Sequence, residues 1–401
     1  MTYEWNHSTI NDVCVLVTDG SHSSPKSVND GKYMVSVKDF TDYGFDFASC
    51  RMISNDDYET LKRNGCVPQI DDILIGKDGA RFFEDIIIYR QREKPALLSS
   101  IAILRCDKSK ILPDFLYYVL RTPSFRQDVK DNYGSGSAIP RIILKDFKRM
   151  MVSYPSLEKQ QAIISVLTAI DSKIQANTEI NDNLEQQAQA FFQELFVDNA
   201  DPEWAIGTIS DLGAVVGGST PSKAKPEYYT ETGIAWITPK DLSVNKSKFI
   251  SHGENDITEL GLKNSSATIM PEGTVLFSSR APIGYIAVAA GEVTTNQGFK
   301  SIVPKPEIGT AFVYYFLKHN LPIIEGMASG STFKEVSGST MKGVPAVIPD
   351  TDTIARFNDF CSPIFAQQRI LEEQNQSLAT LRDDLLPKLM SGEIDVSDIQ
   401  L

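Results

Sequence analysis

Cysteine is scarce in this 401-residue chain: Cys14, Cys50, Cys66, Cys106 and Cys361 are all there is, with no two at the spacing of a zinc knuckle. An odd number at scattered positions supports neither a disulfide framework nor a structural metal, and a reducing cytoplasm is the expected compartment. Histidine is scarcer still, with His7, His22, His252 and His319 far apart in sequence, so no acid-base or metal-ligating constellation is legible. No apolar run approaches the roughly 18 residues that cross a bilayer. The opening Met1-Thr2-Tyr3-Glu4-Trp5 has no basic stretch leading into an apolar one, so neither membrane insertion nor export is expected. A phosphate-binding loop is absent, because Gly31-Lys32 and Gly76-Lys77 lack both the upstream glycine and the following hydroxyl. Gly134-Ser135-Gly136 does not complete a dinucleotide fingerprint, since Ile139 stands where the third glycine belongs. The Asn/Asp-Pro-Pro-aromatic segment of amino-methyltransferases is missing too. The chain therefore reads as non-catalytic, with no metal and no cofactor of its own.

What is present is an ordinary globular composition, 42% hydrophobic and 23% charged, which excludes disorder and a simple coiled-coil rod. The length accommodates two to three domains with cores of their own. A net charge of −13 argues against a polyanionic partner until its distribution is considered. Residues 1–150 carry 21 basic and 21 acidic groups, and residues 201–350 carry 12 and 15, so both blocks are close to neutral. Residues 151–200 carry 2 and 7, and residues 351–401 carry 4 and 9, so these two short segments supply −10 of the net −13.

That alternation reflects an internal duplication. A shift of 199 aligns Glu4-Trp5 with Glu203-Trp204, and a shift of 202 aligns Lys38-Asp39-Phe40 with Lys240-Asp241-Leu242. A shift of 197 aligns the aromatic run Phe115 to Leu120 with Phe312 to Leu317, and 194 aligns Ser135-Gly136-Ser137 with Ser329-Gly330-Ser331. Short β-branched runs such as Tyr33 to Val37, Ile73 to Ile75, Ile86 to Ile88 and Ile101 to Leu104 read as strands, as do Ile234 to Ile237, Thr274 to Phe277 and Tyr285 to Ala289. Pro113-Asp114 and Thr122-Pro123 bracket a helix over the aromatic run. The acidic segments show a heptad seam at Ile170, Ile174, Asn177, Asn181, Leu184, Ala188, Phe191 and Leu195, and again at Ile364, Gln368, Leu371, Asn375, Leu378, Arg382, Leu385 and Leu389. Ser362-Pro363 reads as a helix start and Ser391-Gly392 as its stop, with Leu157 to Leu167 and Thr351 to Cys361 as separate shorter helices. The expected fold is α+β and internally duplicated, with globular blocks at 1–156 and 200–350 and helical segments at 157–199 and 351–401.

Four segments bring this layout close to a known family: Asp19-Gly20-Ser21-His22-Ser23-Ser24-Pro25, Trp236-Ile237-Thr238-Pro239-Lys240-Asp241-Leu242, Ser279-Arg280-Ala281-Pro282-Ile283-Gly284-Tyr285 and Thr295-Asn296-Gln297-Gly298-Phe299-Lys300. Along its whole length the chain resembles the specificity subunit of type I restriction-modification systems, which serve in defence against phage. The resemblance implies two target recognition domains, each reading half of a bipartite sequence in double-stranded DNA. It also implies a pair of long antiparallel coiled-coil helices between them. Those helices would dock methylation subunits, expected to number two, and restriction-motor subunits. S-adenosylmethionine, ATP and magnesium would belong to those partners. The DNA-contacting candidates are Lys77, Ser135, Ser137 and Arg141 in the first half and Arg280, Asn296, Gln297, Lys300, Ser331 and Lys334 in the second. Asn296, Gln297 and Lys300 match a family-wide pattern, which favours a structural role for them, and Lys38-Asp39 and Lys240-Asp241 are read as fold-maintaining. The helix-pair interface is expected at Ile174, Asn181, Leu184, Phe191, Leu195, Leu371, Asn375, Leu378, Leu385 and Leu389. Antiparallel packing about equivalent midpoints sets Asn181 against Asn375, Ile174 near Arg382 and Ala188 near Gln368. A helix of about 30 residues spans roughly 45 Å, against about 34 Å for one DNA turn. The alternatives are the recognition subunit of a type IIB-like enzyme and, from another class, an acidic DNA mimic. The latter is disfavoured because the acid sits in the helices.

Overall fold

The computed structural model describes residues 5–79, 81–134, 140–280, 282–330 and 334–396. They form two compact units, residues 1–172 with 378–401, and residues 173–377. In the first unit, β1 (Cys14–Asp19), β2 (Ile73–Gly76), β3 (Ile86–Ile88) and β4 (Ile101–Cys106) make an antiparallel sheet in the order β1-β4-β2-β3. The uninterrupted apolar runs of β2 and β4 are buried, as strands covered on both faces should be. Helix α1 (Pro113–Arg121) opens on proline and puts Phe115, Leu116, Tyr118 and Leu120 into the core. Strand Asn6–Thr9 pairs with Met151–Tyr154, which ties the start of the block to the residues just before α2 (Leu157–Gln193).

The second unit repeats this plan. Strands β5 (Gly213–Gly217), β6 (Phe249–Ile250), β7 (Val275–Ser279), β8 (Ile283–Ala289) and β9 (Lys300–Pro304) run in the order β5-β9-β7-β8-β6. The added edge strand β6 lies parallel to β8. Helix α3 (Thr310–His319) matches α1, and Ala205–Thr208 pairs with Pro345–Ile348 ahead of α4 (Thr351–Ser391). The aspartates of the repeated Lys-Asp pairs serve the fold. Asp39 Oδ2 accepts the Ser36 backbone and hydroxyl at 2.8 and 3.0 Å, and Asp241 Oδ2 accepts those of Thr238 at 2.7 Å each, closing a capping box in both halves. The register of β1 and β4 also sets Cys14 opposite Cys106, both free thiols.

Both long helices feed each core. Ile163, Ile164, Val166 and Leu167 of α2 and Leu386 and Leu389 of α4 pack into the first block. Ala188, Phe192 and Leu195, with Ile354, Phe357, Cys361 and Ile364, pack into the second. Seam and block cores overlap: Leu195, in a π-helical turn at Glu194–Asp198, and Leu389 belong to the two cores, and Leu385, Leu184 and Phe191 pack against them. Leu371 is buried, Ile174, Leu184 and Leu378 are half-buried, and Phe191 stacks on Phe357 and Phe360 at centroid distances of 6.0 and 4.5 Å.

Two readings are corrected. The acidic segments are single helices: Leu157–Gln193 and Thr351–Ser391 each run through the breaks expected after Leu167 and Cys361. Pro363 is interior to α4. Its ring is exposed, while Phe357, Cys361 and Ile364 on the opposite face are buried and offset the roughly 3 kcal/mol that an interior proline costs. The helix does stop at Ser391, where Gly392 takes a φ of +75° that a side chain would disfavour. The antiparallel pairing is present, but its register is about one turn from the expected one. Asn375 Oδ1 accepts from Asn177 Nδ2 at 2.9 Å rather than from Asn181, and Asn181 Nδ2 donates to Glu372 at 3.2 Å. Gln368 donates to the Asn181 carbonyl at 3.3 Å, and Arg382 pairs with Asp171 at 3.0 Å, where the expected register names Ala188 and Ile174. The cause is Glu372, whose carboxylate is already oriented by backbone N–H groups of Lys248 and Phe249, so the globular block sets where α4 stands against α2.

Candidate nucleic-acid interface

In each half the two strands flanking the central strand end beside its first residues, so their terminal side chains converge. In the first half Ala102 faces Asp19 and Ile101 faces Gly76, which brings Lys77 to Asp19. The Lys77 ammonium lies 3.4 Å from Asp19 Oδ2 and 3.6 Å from Asp78 Oδ1, and the residue is 7% exposed. Lys77 was expected on the DNA-facing surface. It is instead a buried ion-pair partner, because two carboxylates hold it inside and withdrawing one partner of such a pair costs about 3–5 kcal/mol. Gly20 is required here for close approach: a Cβ would sit 2.3 Å from the Leu97 carbonyl. Arg141 is exposed and bridges by its backbone to Asp78, and no carboxylate among the described residues pairs with its guanidinium. A cleft of about 550 Å³ opens alongside, lined by Lys38, Phe40, Asp78, Gly79, Arg81 and Asp85 among others. Ser135 and Ser137 lie outside the described residues, as does Ser331.

The second half builds the same corner with other side chains. Arg280 follows β7 and bridges by its backbone to Glu335, the counterpart of the Asp78–Arg141 bridge. Its guanidinium is 3.6 Å from Glu335 Oε2, while Lys300 Nζ is 3.7 Å from Glu335 Oε1 and 3.4 Å from the Gln297 carbonyl. Gln297 is exposed and accepts the Thr220 hydroxyl. Lys334 is exposed beside Glu335. Asn296 is half-buried, and its Oδ1 accepts the Gly298 N–H at 2.8 Å and holds the turn, a role in the fold. Arg280, Gln297, Lys300 and Lys334 thus form one cluster, with two cations sharing one carboxylate.

Both halves match the model of the type I restriction modification DNA specificity domain, over residues 3–186 and 202–380. The chain belongs to this family. It is 39% identical over 191 residues to a type I restriction enzyme specificity subunit, MjaIX, of Methanocaldococcus jannaschii, a match covering 45% of this chain and 44% of that protein. To the HindI specificity subunit of Haemophilus influenzae it is 25% identical over 371 residues, covering 73% of this chain and 80% of that one. The chain thus spans under half the length of the first of these relatives. The fold is similar to a solved specificity subunit from M. genitalium, with a TM-score of 0.57 at 17% identity over 97% of this chain and 96% of that one. No helix among the described residues is long and apolar enough to cross a membrane.

In this specificity-domain fold the residues that sequence reading missed are the acids. Asp19, Asp78 and Glu335 decide which cations are free, and none was read as a charge partner. The repeat alignment carried the signal, since Asp78 and Arg141 fall opposite Arg280 and Glu335 once the drift in offset is applied.

Proposed function

We propose that this chain is the DNA-recognition subunit of a type I restriction-modification complex, each globular block reading one half of a bipartite target in double-stranded DNA. One observation carries the reading. The same backbone bridge occurs in both halves and displays Asp78 with Arg141 in one and Arg280 with Glu335 in the other. A two-part reader needs this combination, a constant scaffold presenting different donors and acceptors to base edges. Arg280 is free to turn toward guanine or phosphate because a half-exposed ion pair at 3.6 Å is worth only about 0–1 kcal/mol. In this reading the chain is not itself an enzyme and acts in the cytoplasm. Two methylation subunits with S-adenosylmethionine, and restriction-motor subunits with ATP and magnesium, supply the chemistry. The acidic helices suit such protein partners better than phosphate.

The test is methylation-sensitive long-read sequencing of a host carrying the methylation subunit, with and without this chain. A two-part methylated motif that appears only with the chain is expected. An unchanged methylome, or methyl transfer by the purified chain alone, would overturn the reading.

A further inference from the structure

Within the second unit, the globular block is held to the helix pair by a buried charged network. Glu185 on α2 receives the Lys248 ammonium, Lys318 Nζ at 2.5 Å and the Tyr315 hydroxyl at 2.7 Å. Lys248, just ahead of β6, is 7% exposed, donates to Gln368 Oε1 at 2.5 Å and sits 4.3 Å over the Phe365 ring. Its backbone N–H and that of Phe249 donate to the two oxygens of Glu372 on α4, at 2.8 and 3.0 Å. Farther along α4, Arg369 reaches the Ala290 carbonyl at 2.8 Å and Glu272 at 2.5 Å. One block thereby grips both helices through directional bonds at each contact.

Burying the Lys248 ammonium among half-buried charged partners is a poor way to gain stability, since apolar residues of similar volume often serve as well. What directional partners add is a single geometry. Among the described residues the first half lacks this network: Ala379 stands at the position matching Glu185, and Tyr118, the match of Tyr315, donates to Asp171 at 2.6 Å. We propose that Glu185, with Lys248, Lys318 and Glu372, fixes the angle of the second block on the helix pair and so restricts the half-site spacing that the complex accepts. This rests on the bipartite-reader reading above. One added base pair moves a half-site by about 3.4 Å and turns it by roughly 34°. A block fixed in angle rejects that displacement, and a loosened block follows it.

The experiment uses the full chain assembled with its methylation subunit, and duplexes that keep both half-sites while the gap is native, one base pair shorter or one longer. Glu185→Gln and Lys248→Gln are compared with the unaltered chain by the ratio of methylation rates at native and altered gaps. That ratio is expected to fall at least about tenfold in each variant, with the half-site bases unchanged. A merely destabilised protein loses rate at every gap alike and keeps the ratio. If Glu185→Gln does not assemble, Tyr315→Phe, which removes one bond of the network, takes its place. A ratio equal to that of the unaltered chain in the assembled variants overturns the proposal while leaving the reader intact. Failure of the unaltered complex to methylate any two-part site would overturn the function reading instead.

Discussion

The corner after β2 and the corner after β7 share a backbone bridge and reverse its charges. In the first half the strand end supplies the acid, Asp78, and the returning loop supplies Arg141; in the second the strand end supplies Arg280 and the loop Glu335. Backbone pairing is indifferent to side-chain charge, so a duplicated scaffold can keep its hydrogen bonds and exchange everything it displays. The attachment to the helices differs in the same spirit. Tyr118 and Tyr315 each donate to a carboxylate of α2, but the first meets Asp171 paired with Arg382, and the second meets Glu185 among two lysines. Architecture is common to the halves, and surface and attachment are particular to each.

The sharpest way to break that comparison is to exchange residues 1–150 for the same block of another specificity subunit. One half of the methylated motif should change completely and the other stay as it was, read by long-read sequencing; coupled changes in both halves would end the modular view. Next in size is stability. Glu185→Ala leaves two lysines without their carboxylate and should cost the second unit about 3–5 kcal/mol. Asp171→Asn, which weakens charged hydrogen bonds in the first, should cost about 1.5–3 kcal/mol; denaturant melts of the two variants would show whether the attachments really differ. At the proposed reading surface, Arg280→Ala should cost about 1–3 kcal/mol of target affinity and relax one base position, while Lys300→Ala should weaken all sequences alike and lower the salt slope by about one. Binding isotherms across salt concentrations separate the two.

A last effect concerns pH. Burial pushes the Glu185 carboxyl up, but Lys248 and Lys318 outweigh it and bring it down to about 2. A carboxyl held below its unfolded value stabilises fully above that value, so this contribution is complete above about pH 4.5 and fades as pH falls toward 2. Glu372, pushed up by burial, works in the opposite direction. Glu185→Gln should therefore flatten the acid limb of the second unit's melting curve, and an unchanged limb would show that the network does not report on acid stability.

Periodicity and repetition are properties of neighbours along the chain, and they were legible. The duplication follows from segments repeated at shifts of 194 to 202, and the aromatic helices Pro113–Arg121 and Thr310–His319 and strands such as Ile86–Ile88 and Ile234–Ile237 follow from residues a few positions apart. Proline at 363 misled for the same reason: local propensity calls for a break, and a buried face formed with distant residues overrides it. What only the tertiary structure decided is which distant side chains meet. It paired Cys14 with Cys106, drew Lys77 inside between Asp19 and Asp78, and shared Glu335 between Arg280 and Lys300. It also moved the helix register by a turn through Glu372. A heptad seam permits several registers of nearly equal apolar burial, and the choice among them fell to a few charged groups whose partners lie more than a hundred residues away.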